Sequence, residues 1–159
     1  AGALLVFGGF NHAVWQKESL LRDGRVVRLE LAPVDPRALM TGDYMALDYA
    51  VAGPLARELD GRDGFAIVAP NARGVHRLVR AQPLPGPRAA GEVALQARTR
   101  GGRARIGTNA WYFQEGHAGV YEKARYGEFR VGEDGEALLV RMLDESLQPL
   151  GRDAFAAGR

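Results

Sequence analysis

The 159-residue chain has no cysteine, which excludes disulfide frameworks, thiol nucleophiles and Cys-ligated zinc or iron–sulfur sites together. Serine is almost as scarce away from the ends of the chain: only Ser19 and Ser146 occur, so a serine nucleophile has few places to stand. Of the 21 basic residues only Lys17 and Lys123 are lysines, and the positive charge is nearly all guanidinium. Guanidinium groups bond carboxylates and phosphates bidentately, whereas lysine acts as a point charge. Arginine is enriched together with alanine and glycine, which reads first as a compositional bias of the coding sequence. The net charge of +2 is too weak to indicate nucleic-acid binding. His12, His76 and His117 lack the paired spacing of metal ligands, and no glycine-rich loop has the setting of a phosphate cradle. No cofactor is expected. No apolar run reaches the roughly 20 residues that span a bilayer.

What is present is turn chemistry. With 21 glycines and 8 prolines, the chain is punctuated too often for long helices. Between the breaks the apolar period is two: Val27, Leu29 and Leu31 alternate with Arg28 and Glu30. Three hairpins follow. Phe65–Ala69 and Val75–Arg80 flank a five-residue loop, Glu92–Thr99 and Arg103–Gly107 flank a glycine turn, and Glu128–Val131 and Ala137–Leu143 flank Gly132–Gly135. Trp111–Gln114 is a short aromatic strand, and Pro54–Leu59 is expected to be one helical turn at most. Gln82–Gly91, with three prolines, is a surface connection. The expectation is an all-β fold, a small barrel or sandwich of short hairpins.

The N-terminus differs from the rest. Ala1–Phe10 carries no charge, and Trp15 precedes the polar Gln16–Glu18. An apolar run with a Gly8-Gly9 pair and an interfacial aromatic reads as the outer part of a membrane helix. The expected organisation is therefore an N-terminal helix over 1–22 that is the remnant of an anchor, one β-rich domain over 23–150, and a tail over 151–159.

Leu31–Tyr49 is the most unusual stretch. Asp35 before Pro36 suits a cap on a short turn, and Arg37 is positioned to pair with Asp43 across the loop. In the candidate strand Tyr44–Tyr49, Tyr44, Ala46 and Asp48 share one face and Met45, Leu47 and Tyr49 the other, so at most one tyrosine enters the core.

The pattern Gly42-Asp43-Tyr44-x-x-Leu47-x-Tyr49 resembles the signature of the bacterial GDYXXLXY family. The lead-in Pro33–Leu39, the block Tyr112–Gly116, the segment Tyr121–Gly127 and the hairpin ending Ala137–Leu139 are similar to the same family, so the likeness spans roughly residues 25 to 150. It implies no substrate. It implies an N-terminal membrane segment and association with an integral membrane protein, hence a bacterial inner-membrane protein whose domain faces the periplasm or cell exterior. The binding residues it singles out are Asp35, Arg37, Gly42, Asp43, Tyr44, Leu47, Tyr49, Glu115, Arg125 and Tyr126.

Three further readings concern chemistry. Leu39-Met40-Thr41-Gly42-Asp43 is similar to a segment of type I signal peptidases, but Ala38 stands before it and no Ser/Lys pair lies nearby, so that mechanism is set aside. An Asp35/Asp43/Tyr44 cluster is the alternative, as an envelope hydrolase. Arg98, Arg100, Arg103 and Arg105 on one hairpin are the best contact for anionic lipid or phosphate, against a charged edge that merely deters aggregation. The leading expectation is a non-catalytic, membrane-tethered domain that binds a partner.

Overall fold

The computed structural model describes residues 19–151, and the anchor expected over 1–22 lies mostly outside them. Residues 19–23 are helical and end at Gly24, whose N–H donates to the Leu20 carbonyl at 2.9 Å. Among the described residues no helix is long and apolar enough to cross a membrane.

From there the chain is mostly strand, as the period-two pattern predicted. In order come β1 (Arg25–Glu30), a 3-10 turn (Pro36–Leu39), β2 (Met40–Thr41), β3 (Tyr44–Ala46), α1 (Ala52–Leu59), β4 (Gly64–Pro70), β5 (His76–Gln82), β6 (Val93–Arg100), β7 (Arg103–Ile106), β8 (Ala110–Tyr112), α2 (Ala118–Tyr121), β9 (Tyr126–Val131) and β10 (Ala137–Leu143). They form three antiparallel sheets, ordered β1-β9-β10, β2-β3-β8 and β5-β4-β6-β7. The arrangement is sandwich-like and does not close into a barrel. All three expected hairpins are present. The helical turn expected at Pro54 is instead a two-turn helix, because Ala52, Leu55 and Leu59 bury one stripe against the four-stranded sheet.

Inward faces of the three sheets share one apolar cluster, with Val27, Met45, Leu55, Leu95, Tyr121 and Phe129 among its members. Gly107 bends the chain between β7 and β8. It holds a φ of +59°, and a Cβ there would lie 3.1 Å from the Phe129 ring, so only glycine fits. That bend lets two nearly consecutive strands join different sheets.

On the outer face of β1-β9-β10, register creates a charge cluster that sequence reading missed. Glu128 faces Arg28 on one side and Arg141 on the other. Its carboxylate accepts from Arg28 Nε at 3.1 Å and pairs with Arg141 Nε at 3.0 Å, although Glu128 is only 5% exposed. Uninterrupted pairing would have put Val140 opposite Glu128. A β-bulge between Leu139 and Arg141 inserts one residue and brings the guanidinium onto the face of the carboxylate. The tip of the β4–β5 hairpin covers this cluster. The Arg28 N–H donates to His76 Nδ1 at 3.3 Å. Burial lowers the His76 pKa, a hydrogen bond to the Gly74 backbone opposes this, and the Arg28 charge lowers it further.

Two outcomes follow. Glu128→Ala leaves two guanidinium groups facing each other and lowers unfolding free energy by about 3 kcal/mol, read from urea melts. His76 binds its proton more weakly folded than unfolded, so its contribution is complete above the unfolded pKa of about 6.5 and is lost as pH falls below it. The urea midpoint therefore falls on acidification through that region, and His76→Gln flattens that part of the slope.

Candidate functional site

The signature segment is built around one turn. β2 and β3 pair as Met40↔Met45 and Thr41↔Tyr44, leaving Gly42 and Asp43 as the connection. Gly42 has a φ of +57° while Asp43 does not have positive φ, the pattern of a type II′ hairpin with glycine first. The Asp43 carbonyl accepts from the Phe113 N–H at 2.9 Å, and its exposed carboxylate stands at the tip. β3 then pairs with β8, placing Tyr44 beside Tyr112 with ring centroids 5.7 Å apart. Tyr112 is 69% exposed, so this pair forms an aromatic face on the outside.

The alternate face goes inward, as the alternation required. Met45, Leu47 and Tyr49 are buried, and the Tyr49 ring meets Phe129 edge-on at 5.4 Å. Gly127 lies beneath this ring, where a Cβ would meet Leu139 Cδ1 at 3.1 Å and the Tyr49 ring at 3.4 Å. The Tyr49 hydroxyl has no hydrogen-bond partner among the described residues. Burial pushes its pKa far above the ordinary range, and the neighbouring Asp48 charge adds to this. Only Tyr44–Ala46 is ladder-paired as β3. Beyond it the chain turns aside to Leu31, through the bridge Leu31↔Tyr49 and the Ala32 N–H to Asp48 carbonyl bond of 2.9 Å.

Other predicted residues fall elsewhere. Asp35 caps the 3-10 turn, accepting the Arg37 N–H at 3.0 Å, as expected from Asp-Pro. Arg37 does not pair with Asp43. Its guanidinium reaches Glu122 at 3.4 Å, because the turn directs it toward α2. Glu115 is exposed in the Gln114–His117 turn. Arg125 donates to the Ala124 carbonyl at 2.8 Å, and Tyr126 accepts from Arg73 at 3.2 Å. Asp35, Arg125 and Tyr126 line one cleft of about 630 Å³, together with Glu30, Glu145 and Met45. Asp43 and Tyr44 do not reach it, so the proposed hydrolase triad is not assembled in that cleft. The ten predicted residues thus divide among a turn with an aromatic face (Gly42, Asp43, Tyr44), the core (Leu47, Tyr49) and a separate cleft (Asp35, Arg125, Tyr126), with Arg37 and Glu115 exposed apart from all three.

A second cleft, of about 410 Å³, was not foreseen. It opens where the chains fork beyond the Leu47 N–H to Asn109 carbonyl bond, 2.8 Å. One wall is the edge of β7. The others are Val34 and Leu39, the Ala46–Tyr49 segment, and the small residues Ala52, Gly53 and Ala56 of α1. Beside it the β6–β7 hairpin presents its arginines in register, Arg98↔Arg105 and Arg100↔Arg103, all exposed. Among the described residues Arg100 alone of the four has a carboxylate partner, Asp63 at 3.2 Å. The Thr99 N–H bond and the Arg100 charge hold the Asp63 carboxyl below its usual range against some desolvation. Among the described residues no three His, Asp or Glu side chains gather as they would around a metal ion.

The unpartnered Tyr49 hydroxyl yields a test. Tyr49→Phe removes a buried group with no partner and leaves the ring contact with Phe129, so stability is unchanged or rises by up to about 1 kcal/mol. Tyr49→Ala opens a cavity in the shared core and costs about 3 to 5 kcal/mol. Thermal and urea melts of the two variants read both.

No curated protein and no solved structure matches the chain. The family model of the GDYXXLXY protein matches residues 6–142, most of the sequence and all of the signature segment. The chain belongs to the GDYXXLXY protein family.

Proposed function

We propose that this protein is a non-catalytic, membrane-tethered domain facing the bacterial envelope, which binds a partner as the accessory subunit of an integral membrane protein. One observation supports this reading above others: the signature motif spends its glycine and its apolar positions on its own turn and core, and what it turns outward is an aromatic pair rimmed by Asp43. Gly42 supplies the turn, while Met45, Leu47 and Tyr49 fill the core. The Tyr44–Tyr112 pair stands on the surface with Asp43 at its rim. Exposed tyrosines bury large area at small entropic cost on binding, and they are enriched where partners dock. A hydrolase built on Asp35, Asp43 and Tyr44 would need the three together at one cleft, whereas only Asp35 lines the 630 Å³ cleft. The apolar Ala1–Phe10 run supports the tether.

The reading is tested in cells by a photo-crosslinking residue placed at Tyr112 of the native, full-length protein. The expected outcome is one crosslinked integral membrane protein, co-fractionating with the membrane, and no adduct from the same residue at Arg77. A protein recovered wholly from the soluble cytoplasmic fraction overturns the reading. So does an ester- or peptide-hydrolysing activity of the purified protein that Asp43→Ala and Tyr44→Phe abolish.

A further inference from the structure

The register of the β6–β7 hairpin leaves one side of β7 without a neighbour. The two-glycine turn pairs Arg100 with Arg103. One step on, the Thr99 N–H donates to Asp63 at 2.9 Å, away from β7. Thr99↔Ala104 is therefore a non-hydrogen-bonded pair, and the Ala104 N–H and C=O point outward from the hairpin. Two residues on, the alternation repeats at Ile106, opposite Ala97. β7 is the last strand of its sheet, and among the described residues no backbone group bonds the Ala104 or Ile106 amides. Both residues are nevertheless buried, and both line the 410 Å³ cleft. A sheet edge left bare at the wall of a cleft is the arrangement that receives an extended peptide as an added strand.

Charge and shape narrow what that strand is. Side chains of an added strand alternate between the two faces of the sheet. One face continues the four arginines, whose nearby carboxylate, Asp63, is already bonded to Thr99 and Arg100. The other face meets Ala52, Gly53 and Ala56, an apolar wall of small residues that leaves room for apolar side chains. Arg103, Arg105 and Asp48 are the charged residues lining the cleft, and Asp48 accepts its neighbour's Tyr49 N–H at 3.0 Å.

We infer that β7 receives an extended segment of a partner polypeptide in which acidic residues alternate with apolar ones. The segment adds to the sheet through the Ala104 and Ile106 peptide groups. This inference rests on the partner-binding reading and names the chemistry of the partner. Anionic lipid would use the same arginines without needing the amides, which is how the two are told apart.

The test is a selection of random heptapeptides displayed on phage against the purified full chain, followed by fluorescence anisotropy with the recovered sequences. Recovered peptides are expected to alternate Asp or Glu with apolar residues. Ala104→Pro removes an outward N–H and no ladder bond, and it should weaken binding about tenfold or more while Arg77→Glu changes nothing. Arg103→Glu with Arg105→Glu should abolish binding. If Ala104→Pro fails to fold, hydrogen exchange of the unaltered protein decides the matter. The Ala104 and Ile106 amides should gain protection when peptide is added, whereas those of Arg103 and Arg105 are protected already. Peptides without the alternation, binding indifferent to Ala104→Pro, or no protection at those two amides overturns the inference. So does a chain that selects no peptide yet binds phosphatidylglycerol vesicles, which assigns the arginines to lipid. A protein that still crosslinks a membrane partner from Tyr112 but selects no such peptide keeps its proposed function and loses this inference.

Discussion

A single carboxylate, that of Glu128, holds three strands in step. Arg28 on β1 and Arg141 on β10 reach it from opposite sides of β9. Shifting either strand by one residue would turn its whole apolar set outward. Fixing this register places Phe129 and Gly127 on the inner face of β9, where the ring of Tyr49 packs. It also sets the outer surface on which the β4–β5 tip, with Val75 and His76, comes to rest. A buried ion cluster of this kind is a weak source of net stability but a strong penalty on every arrangement that leaves one of its members unpaired.

The family signature is therefore chiefly a prescription for a corner. Glycine starts a tight hairpin, and alternation then sends Met45, Leu47 and Tyr49 into the core shared by the three sheets. Tyr44 remains outside with Tyr112. Two tyrosines of one motif thus do opposite work, one packed and one presented. The fork beyond Leu47 has the same origin: the chain leaves β8 in order to pair with Leu31, and the space between becomes a cleft.

Much of this was legible in the sequence. The three hairpins followed from glycine turns between alternating runs, and the Asp35 cap from Asp-Pro, because each is a local rule. Which tyrosine faces inward was not decidable from spacing alone. The expected Arg37–Asp43 pair failed because α2, remote in sequence, offers Glu122 to the same guanidinium. The Glu128 cluster stayed hidden for a related reason: its three members lie on separate strands, and a single-residue bulge decides whether Arg141 joins them. Charged residues inside otherwise apolar strands, as in Gly127-Glu128-Phe129, were the signal available. The length of α1 was underestimated because Gly53 and Pro54 are poor helix formers, and burial of Leu55 and Leu59 outweighs them.

The bend at Gly107 links the two outward-facing features. β7 carries the bare edge and β8 carries Tyr112, with three residues between the two strands, and the first of them, Gly107, lies against the Phe129 ring. The two surfaces are thus consecutive stretches of one chain, mounted on different sheets about a fulcrum seated in the core. A strand seated along β7 and a partner docked on Tyr112 would therefore contact one continuous stretch of chain, from Arg103 to Tyr112.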